Sequence, residues 1–379
     1  MKEATFNPNN WDLIVDSPGR INIIGEHTDY NNGFVLPTAI DKKIQFKFKR
    51  NDSLHTCNIL SNNFNASLSF DLNTVSKSDK QWENYILGVI HEIQQLTDKL
   101  RGFDCVLDSD IPVGSGISSS AALECGLAFG LNELFDLNLS KQQIVELSQR
   151  AEHNYVGTKC GIMDQFASVM SKKGHVILLD CQSLDYEYVP IEIEPYKLLL
   201  LNTNVSHNLA SGEYNIRRSQ CEKGVEIIQQ KYPEVTSLRD VSFDMLQEFK
   251  SDIPEIVFNR CTYVVQEKDR VLSSVKALKK SQLHTLGEYM YQTHDGLQNL
   301  YEVSCPELDF LVDFSKEYNE VIGARMMGGG FGGCTINIIH QDAVEHFTQK
   351  ASEAYFKKFN IKLTGFEAMP CEGTNIKLA

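Results

Sequence analysis

Residues 112–122 read Pro-Val-Gly-Ser-Gly-Ile-Ser-Ser-Ser-Ala-Ala. Two glycines and four hydroxyls followed by small helix formers suit a phosphate cradle. Glycine lets a ligand approach the backbone closely and adopts positive φ at little steric cost. A helix start adds N–H groups without intrahelical partners and the positive end of the helix dipole, which together bind anions. Hydroxyls at that point can also ligate Mg²⁺, a hard cation that prefers oxygen. No Gly-Lys-Ser/Thr follows the glycines, so the stretch is not a Walker A loop. Its other reading is a polar turn capping a core helix.

A second concentration of polar groups lies at Gly25-Glu26-His27-Thr28-Asp29-Tyr30-Asn31-Asn32-Gly33. Asn31 to Gly33 is an ordinary turn signal. Glu26, His27 and Asp29 are not needed for a turn, and polar groups at fixed positions are what a hydroxyl-rich ligand requires. Glu152 falls near the end of a helical pattern, where the dipole disfavours a carboxylate. Either solvent or a functional partner must offset that. Asp164 follows a glycine turn and either caps the next helix or acts as a base. Tyr214, Arg217 and Arg218 fall in the first turns of another helix, where cations oppose the dipole and call for a carboxylate or phosphate partner. Residues 325–334 contain a nominal G-x-G-x-x-G at Gly328, Gly330 and Gly333. A dinucleotide fingerprint must open a helix, and here a β-type run follows. A glycine loop lying against a ligand or a neighbouring backbone fits better.

These residues need elements to hold them. Residues 11–16 read as a strand, Ser17-Pro18-Gly19 as a turn and residues 20–24 as a second strand with Arg20 and Asn22 on one face. Alternation continues through 34–50 and 54–72 as strands. Helical spacing marks 82–100, a strand at 103–107 feeds the Gly/Ser loop, and a helix spans 119–134. Ser140 to Gln143 is a capping box, S-x-x-Q, opening a helix that ends near Glu152. Residues 175–180 and 197–202 are apolar core strands. A loop and helix span 206–230, helical patterns without assigned chemistry fill 233–320, and a last helix at 341–359 precedes a short strand. There are no repeats or long linkers, so a two-domain division falls compactly, at 1–195 and 196–379.

Composition excludes several classes. The 379 residues are 42% hydrophobic, enough for a substantial core, with a net charge of −14. A nucleic acid or an anionic membrane would need a basic footprint. The ten cysteines form no CxxC pair, and no HExxH is present, which argues for free thiols and against zinc. Residues 1–12 lack the apolar core of a signal peptide, and no apolar run approaches spanning length. The expectation is a cytoplasmic protein.

Three separated stretches resemble one family. Pro18-Gly19-Arg20-Ile21-Asn22-Ile23-Ile24-Gly25-Glu26-His27-Thr28-Asp29-Tyr30 resembles the galactokinase signature. Residues 112–122 resemble the phosphate loop of the superfamily of galactokinase, homoserine, mevalonate and phosphomevalonate kinases, and residues 328–333 resemble its third motif. The latter two indicate the superfamily, the first galactokinase itself. The resemblance implies an α+β, two-domain small-molecule kinase fold. An N-terminal mixed sheet with helices and a C-terminal ferredoxin-like domain would enclose the active site in their cleft. It implies ATP- and Mg²⁺-dependent phosphorylation of the anomeric C1 hydroxyl of D-galactose, giving α-D-galactose 1-phosphate and ADP. Carried over by residue, Gly114, Ser115, Gly116, Ile117, Ser118, Ser119 and Ser120 hold the nucleotide phosphates, with Ser61 near the adenine. Ser120 and Glu152 ligate Mg²⁺. Glu26, His27, Thr28, Asp29, Gly161, Asp164 and Tyr214 contact the sugar, and Asp164 and Arg20 are catalytic. Ile117 stands where leucine is usual, Met327 where threonine is common, and Gly212 precedes Glu213-Tyr214-Asn215. The alternatives are a kinase for N-acetylgalactosamine or arabinose, and a non-catalytic galactose sensor. Sensor relatives lack the Ser-Ala pair present here as Ser120-Ala121. The expected state is a monomer whose partners are the sugar and ATP, with no nucleic acid and no membrane.

Overall fold

The computed structural model describes residues 11–205 and 210–377. Its first half runs β1 (Leu13–Asn22), β2 (Phe34–Val35), β3 (Pro37–Arg50), β4 (Thr56–Ser61), β5 (Ala66–Asp71), α1 (Gln81–Gln94), β6 (Phe103–Ser109), α2 (Ser119–Phe135), α3 (Lys141–Ala151), α4 (Met163–Met170), β7 (His175–Asp180) and β8 (Tyr186–Pro190). The second half runs β9 (Tyr196–Asn202), α5 (Ala210–Ile228), α6 (Phe243–Glu248), α7 (Glu255–Lys279), α8 (Leu283–Asn299), α9 (Pro306–Lys316), β10 (Val321–Met326), β11 (Cys334–His340), α10 (Val344–Phe359), β12 (Thr364–Ala368) and β13 (Asn375–Ile376).

The turn expected at residues 17–19 is not a turn. β1 runs straight through it, and the register against β3 shifts between Pro18 and Arg20. Pro18 and Gly19 therefore make a bulge inside one strand, a device that bends a strand and re-aims a side chain near a site. The sheet around it has the order β13-β1-β3-β6-β4-β5, with β4 and β6 parallel and the other pairs antiparallel. A three-stranded sheet, β2-β7-β8, lies beside it.

The third sheet has the order β10-β11-β9-β12, and every pair is antiparallel. That is the strand order of a ferredoxin-like βαββαβ unit, with α5 to α9 lying between its first two strands and α10 between its last two. The leucine run in β9 reflects burial on both faces. Leu198 and Leu200 enter a core shared with the first sheet, and Leu199 and Leu201 enter the one formed with α9 and α10. The chain then crosses back. Cys371 donates its N–H to the Ala39 carbonyl at 3.0 Å, the Thr374 hydroxyl lies 2.9 Å from that of Ser17, and β13 pairs with β1. Among the described residues no helix is long and apolar enough to cross a membrane.

Candidate active site

The Gly/Ser loop sits between β6 and α2, as its composition suggested. Gly114, Gly116 and Ser118 have φ of 72°, 73° and 59°. The bulge in β1 brings the Arg20 N–H to the Ile117 carbonyl at 3.0 Å. A Cβ at Gly19 would lie 2.6 Å from that carbonyl, so only glycine allows the approach. Ile117 itself points into the core, which leaves only its backbone near any ligand. The third motif lies against the same loop, since a Cβ at Gly328 would be 3.0 Å from the Gly116 carbonyl.

Arg20 and Asp164 meet as a two-point pair: Nε to Oδ1 at 2.7 Å and Nη2 to Oδ2 at 2.9 Å. Nη1 donates to the Gly116 carbonyl at 2.8 Å. The Ser118 hydroxyl donates to Asp164 Oδ2, so the loop and the carboxylate are hydrogen-bonded directly. Of the two sequence readings of Asp164, capping is absent. Ile162 occupies the cap position of α4 without a side-chain bond, and Asp164 lies in the first turn. The fork geometry fixes orientation as well as charge.

A cavity of about 110 Å³ opens beside this pair, walled by Arg20, Glu26, His27, Asp29, Asp164 and Tyr214, with Glu152, Gly328 and Gly329 among its other walls. That is several times the volume one water needs. Burial, and then the charge of Asp164, pushes the Asp29 carboxyl up to about 7. Burial pulls His27 down to about 4, leaving a neutral imidazole. Gly161 touches Asp29 closely: a Cβ there would lie 2.1 Å from Oδ2. Thr28 is not among the lining residues. Its hydroxyl sits 2.9 Å from the Gly25 carbonyl and 2.6 Å from that of Phe34, holding the loop.

Glu152 is buried at the start of a short π-helical turn that extends α3. Gln165 Nε2 donates to Glu152 Oε2 at 2.8 Å and approaches Glu124 Oε2 at 3.4 Å. Burial, and then Asp164, pushes Glu152 up to about 7. Glu124 Oε1 and Gln165 Oε1 are buried with no hydrogen-bond partner. On the other side of the loop lies a cavity of about 210 Å³, lined by Ser61, Trp82, Tyr85, Leu107, Ser119 and Ser120 among others. Ser61 and Ser120 both line it.

The galactokinase galactose-binding signature matches residues 3–49, and the N-terminal and C-terminal GHMP kinase domains match residues 84–172 and 274–357. The chain is 44% identical over 366 residues to the galactokinase of Thermosipho africanus, covering 96% of this chain and 100% of that one. The chain belongs to the galactokinase family. A Thermotoga neapolitana galactokinase is 40% identical over 95% of this chain and 99% of its own. The crystal structure of Lactococcus lactis galactokinase complexed with galactose superposes with a TM-score of 0.92 at 33% identity, covering 96% of this chain and 94% of that one. Methanococcus jannaschii mevalonate kinase, with a TM-score of 0.64 and 17% identity over 96% of this chain and 100% of its own, shares the fold.

The galactokinase signature is held by side chains that sequence reading passed over. Arg325, 0% exposed, donates from Nη1 to Glu26 Oε1 at 3.0 Å and from Nε to the Ile23 carbonyl at 2.8 Å. Gly328 N–H donates to the same carboxylate oxygen at 2.9 Å. Residues 233–320 were assigned no chemistry, yet Glu267 accepts the Gly25 N–H at 2.9 Å and the Tyr263 hydroxyl donates to the Glu26 carbonyl at 2.9 Å. One signal was available: a cation or carboxylate inside an apolar pattern must be paired if it is buried. Arg217 found its partners in Glu213 and in the carbonyls of Tyr301 and Glu302.

Proposed function

We propose that this chain transfers the γ-phosphoryl group of ATP to the C1 hydroxyl of D-galactose, giving α-D-galactose 1-phosphate and ADP. The observation that carries the reading is the two-point Arg20–Asp164 pair, which walls the polar cavity and is bonded to the phosphate loop through Gly116 and Ser118. Phosphoryl transfer needs positioning and charge stabilisation more than covalent chemistry. Asp164 orients the C1 hydroxyl and accepts its proton, while Arg20 fixes Asp164 and stabilises charge on the moving group. Glu26, His27, Asp29 and Tyr214 present polar groups to the sugar, and Gly161 gives Asp29 its room. The backbone of residues 114–120 receives the phosphates at the start of α2. Trp82 and Tyr85 offer the apolar wall an adenine needs, and Ser61 lines the same cavity with a hydroxyl.

Mg²⁺ fits the residues present. Glu152 and the Ser120 hydroxyl are oxygen donors, and two further buried oxygens beside Glu152 have no partner. When bound, the ion would neutralise charge on the β- and γ-phosphates. The same reading takes 1–195 and 196–379 as the two domains, supported by sheet membership, with β13 returning to the first sheet. It places the protein in the cytoplasm as a monomer; the free state of all ten cysteines supports a reducing compartment.

A panel of galactose, glucose, N-acetylgalactosamine and arabinose with Mg²⁺-ATP, read by ADP release, tests the proposal. Galactose should turn over with the highest kcat/KM, because a site built around one hydroxyl pattern leaves buried polar groups unpaired with another. Equal kcat/KM for glucose would defeat it. Galactose binding without ADP release would point to a sensor.

A further inference from the structure

Behind the cavity wall runs an unbroken line of hydrogen-bonding groups that phosphoryl transfer does not use. His27 Nδ1 lies 2.8 Å from the Tyr30 hydroxyl, which lies 2.7 Å from the Tyr301 hydroxyl, which lies 3.2 Å from Cys221 Sγ. The line begins at a cavity-lining residue and ends on α5, inside the helical core. At its front, His27 Nε2 is buried and makes no hydrogen bond. The ring cannot easily turn away. His27 has φ of 62°, its carbonyl accepts the Asn31 side-chain amide at 2.9 Å, and its ring packs against Tyr214 and Tyr301. What is left to set is which nitrogen carries the proton.

Each hydroxyl has one proton, so the line has two polarities. In one, the thiol donates to Tyr301, Tyr301 to Tyr30 and Tyr30 to Nδ1, which places the imidazole proton on Nε2. In the other every bond reverses, Nε2 is bare and the Tyr301 proton falls on sulfur. Sulfur is a weak acceptor, whereas the first polarity gives each phenol proton an oxygen or an imidazole nitrogen. A phenol is also the stronger acid beside a neutral imidazole N–H, which favours O–H···N at the Tyr30–His27 step.

We propose that Tyr301, backed by Cys221, is a positioning residue for the sugar: it polarises Tyr30 toward His27 and so fixes the tautomer whose Nε2–H faces the cavity as a donor to a sugar oxygen. This rests on the sugar-site reading of that cavity. Tyr301 is itself well held, fully buried, with its carbonyl accepting Arg217 Nε at 2.9 Å and its ring 4.8 Å from that of Tyr263.

Tyr301→Phe keeps the ring and removes the hydroxyl. Nitrogen NMR of histidine in the sugar-free wild-type enzyme should show His27 protonated at Nε2 and bare at Nδ1, and in the variant a mixture of tautomers. The galactose KM should rise roughly 10-fold, the scale of one misdirected buried hydrogen bond, with kcat and the ATP KM unchanged. If Y301F does not fold, Cys221→Ala should move both readouts the same way, and Cys221→Ser, which supplies an O–H donor, should restore them. A bare Nε2 in the wild-type enzyme, or a variant with wild-type tautomer and galactose KM, overturns the proposal. A wild-type enzyme that binds no galactose defeats the functional reading instead, because the tautomer is read without sugar.

Discussion

Adding one methyl group at Gly161 should disable sugar use while leaving nucleotide binding intact. The Cβ of Gly161→Ala would lie 2.1 Å from Cγ and Oδ2 of Asp29, where ordinary contact begins near 3.4 Å, so one side must retreat by more than an ångström. The backbone tolerates alanine, since Gly161 is not in the left-handed region. Asp29 has little freedom to yield. It opens a tight turn in which its carbonyl accepts the Asn32 N–H at 3.1 Å, with the neighbouring Thr28 carbonyl taking Gly33 N–H at 2.8 Å. Overpacking of this kind costs about 1–3 kcal/mol of stability, which chemical denaturation would read. The functional cost is larger, because about 1 Å of misplacement at a reacting centre lowers rates by about 10². Steady-state kinetics should therefore give kcat/KM for galactose lower by about 10²–10³ with the ATP KM unchanged. An Asp29→Ala background removes the two closest atoms and leaves only the residue-29 Cβ, 2.6 Å from the added methyl, so the additional effect should be smaller there than in the wild type, a coupling that a double-mutant cycle measures. A Gly161→Ala enzyme with wild-type kcat/KM for galactose would refute the reasoning.

Asp164→Asn should lower kcat by about 10²–10⁴ with galactose affinity, by calorimetry, largely retained; near-normal kcat removes Asp164 from the mechanism. Because burial raises Asp29 to about 7, the folded enzyme holds a proton that the unfolded chain releases near its ordinary value. Stability contributed by that proton is therefore full at low pH and lost as pH rises toward 7. Denaturation at pH 5 and pH 8 should show a larger loss in the wild type than in Asp29→Asn, and equal losses would contradict the environment assigned to Asp29. Arg325→Met strands the Glu26 carboxylate, which is 1% exposed, and should cost about 3–5 kcal/mol in urea unfolding, as breaking a buried pair does.

The local parts of this enzyme were legible because short-range physics writes them. The loop between β6 and α2 was set by its glycines and by the strand and helix patterns around it. The Ser140–Gln143 capping box is present with both bonds. Glu152 stood out as a carboxylate at an unfavourable helix end, and it lines the cavity. What failed was anything decided at a distance. Ser17-Pro18-Gly19 carries every local mark of a turn, yet pairing with β3 overrides it and makes a bulge. Arg325 meets Glu26 across 299 residues, and Glu267 reaches Gly25 across 242. No window of sequence contains both partners, so neither bond has a periodicity to announce it. Thr28 lay within a polar run and was read with its neighbours, but its hydroxyl turns to backbone carbonyls instead.

The return of β13 to β1 has a consequence for biosynthesis. Thr374 reaches Ser17 across 357 residues, so at roughly 5–20 residues per second the flank of β1 waits tens of seconds during translation for its neighbour. An unpaired flank of that kind is an invitation to other chains. Synthesis of residues 375–376, more than any earlier event, completes the sheet on which Arg20 is mounted.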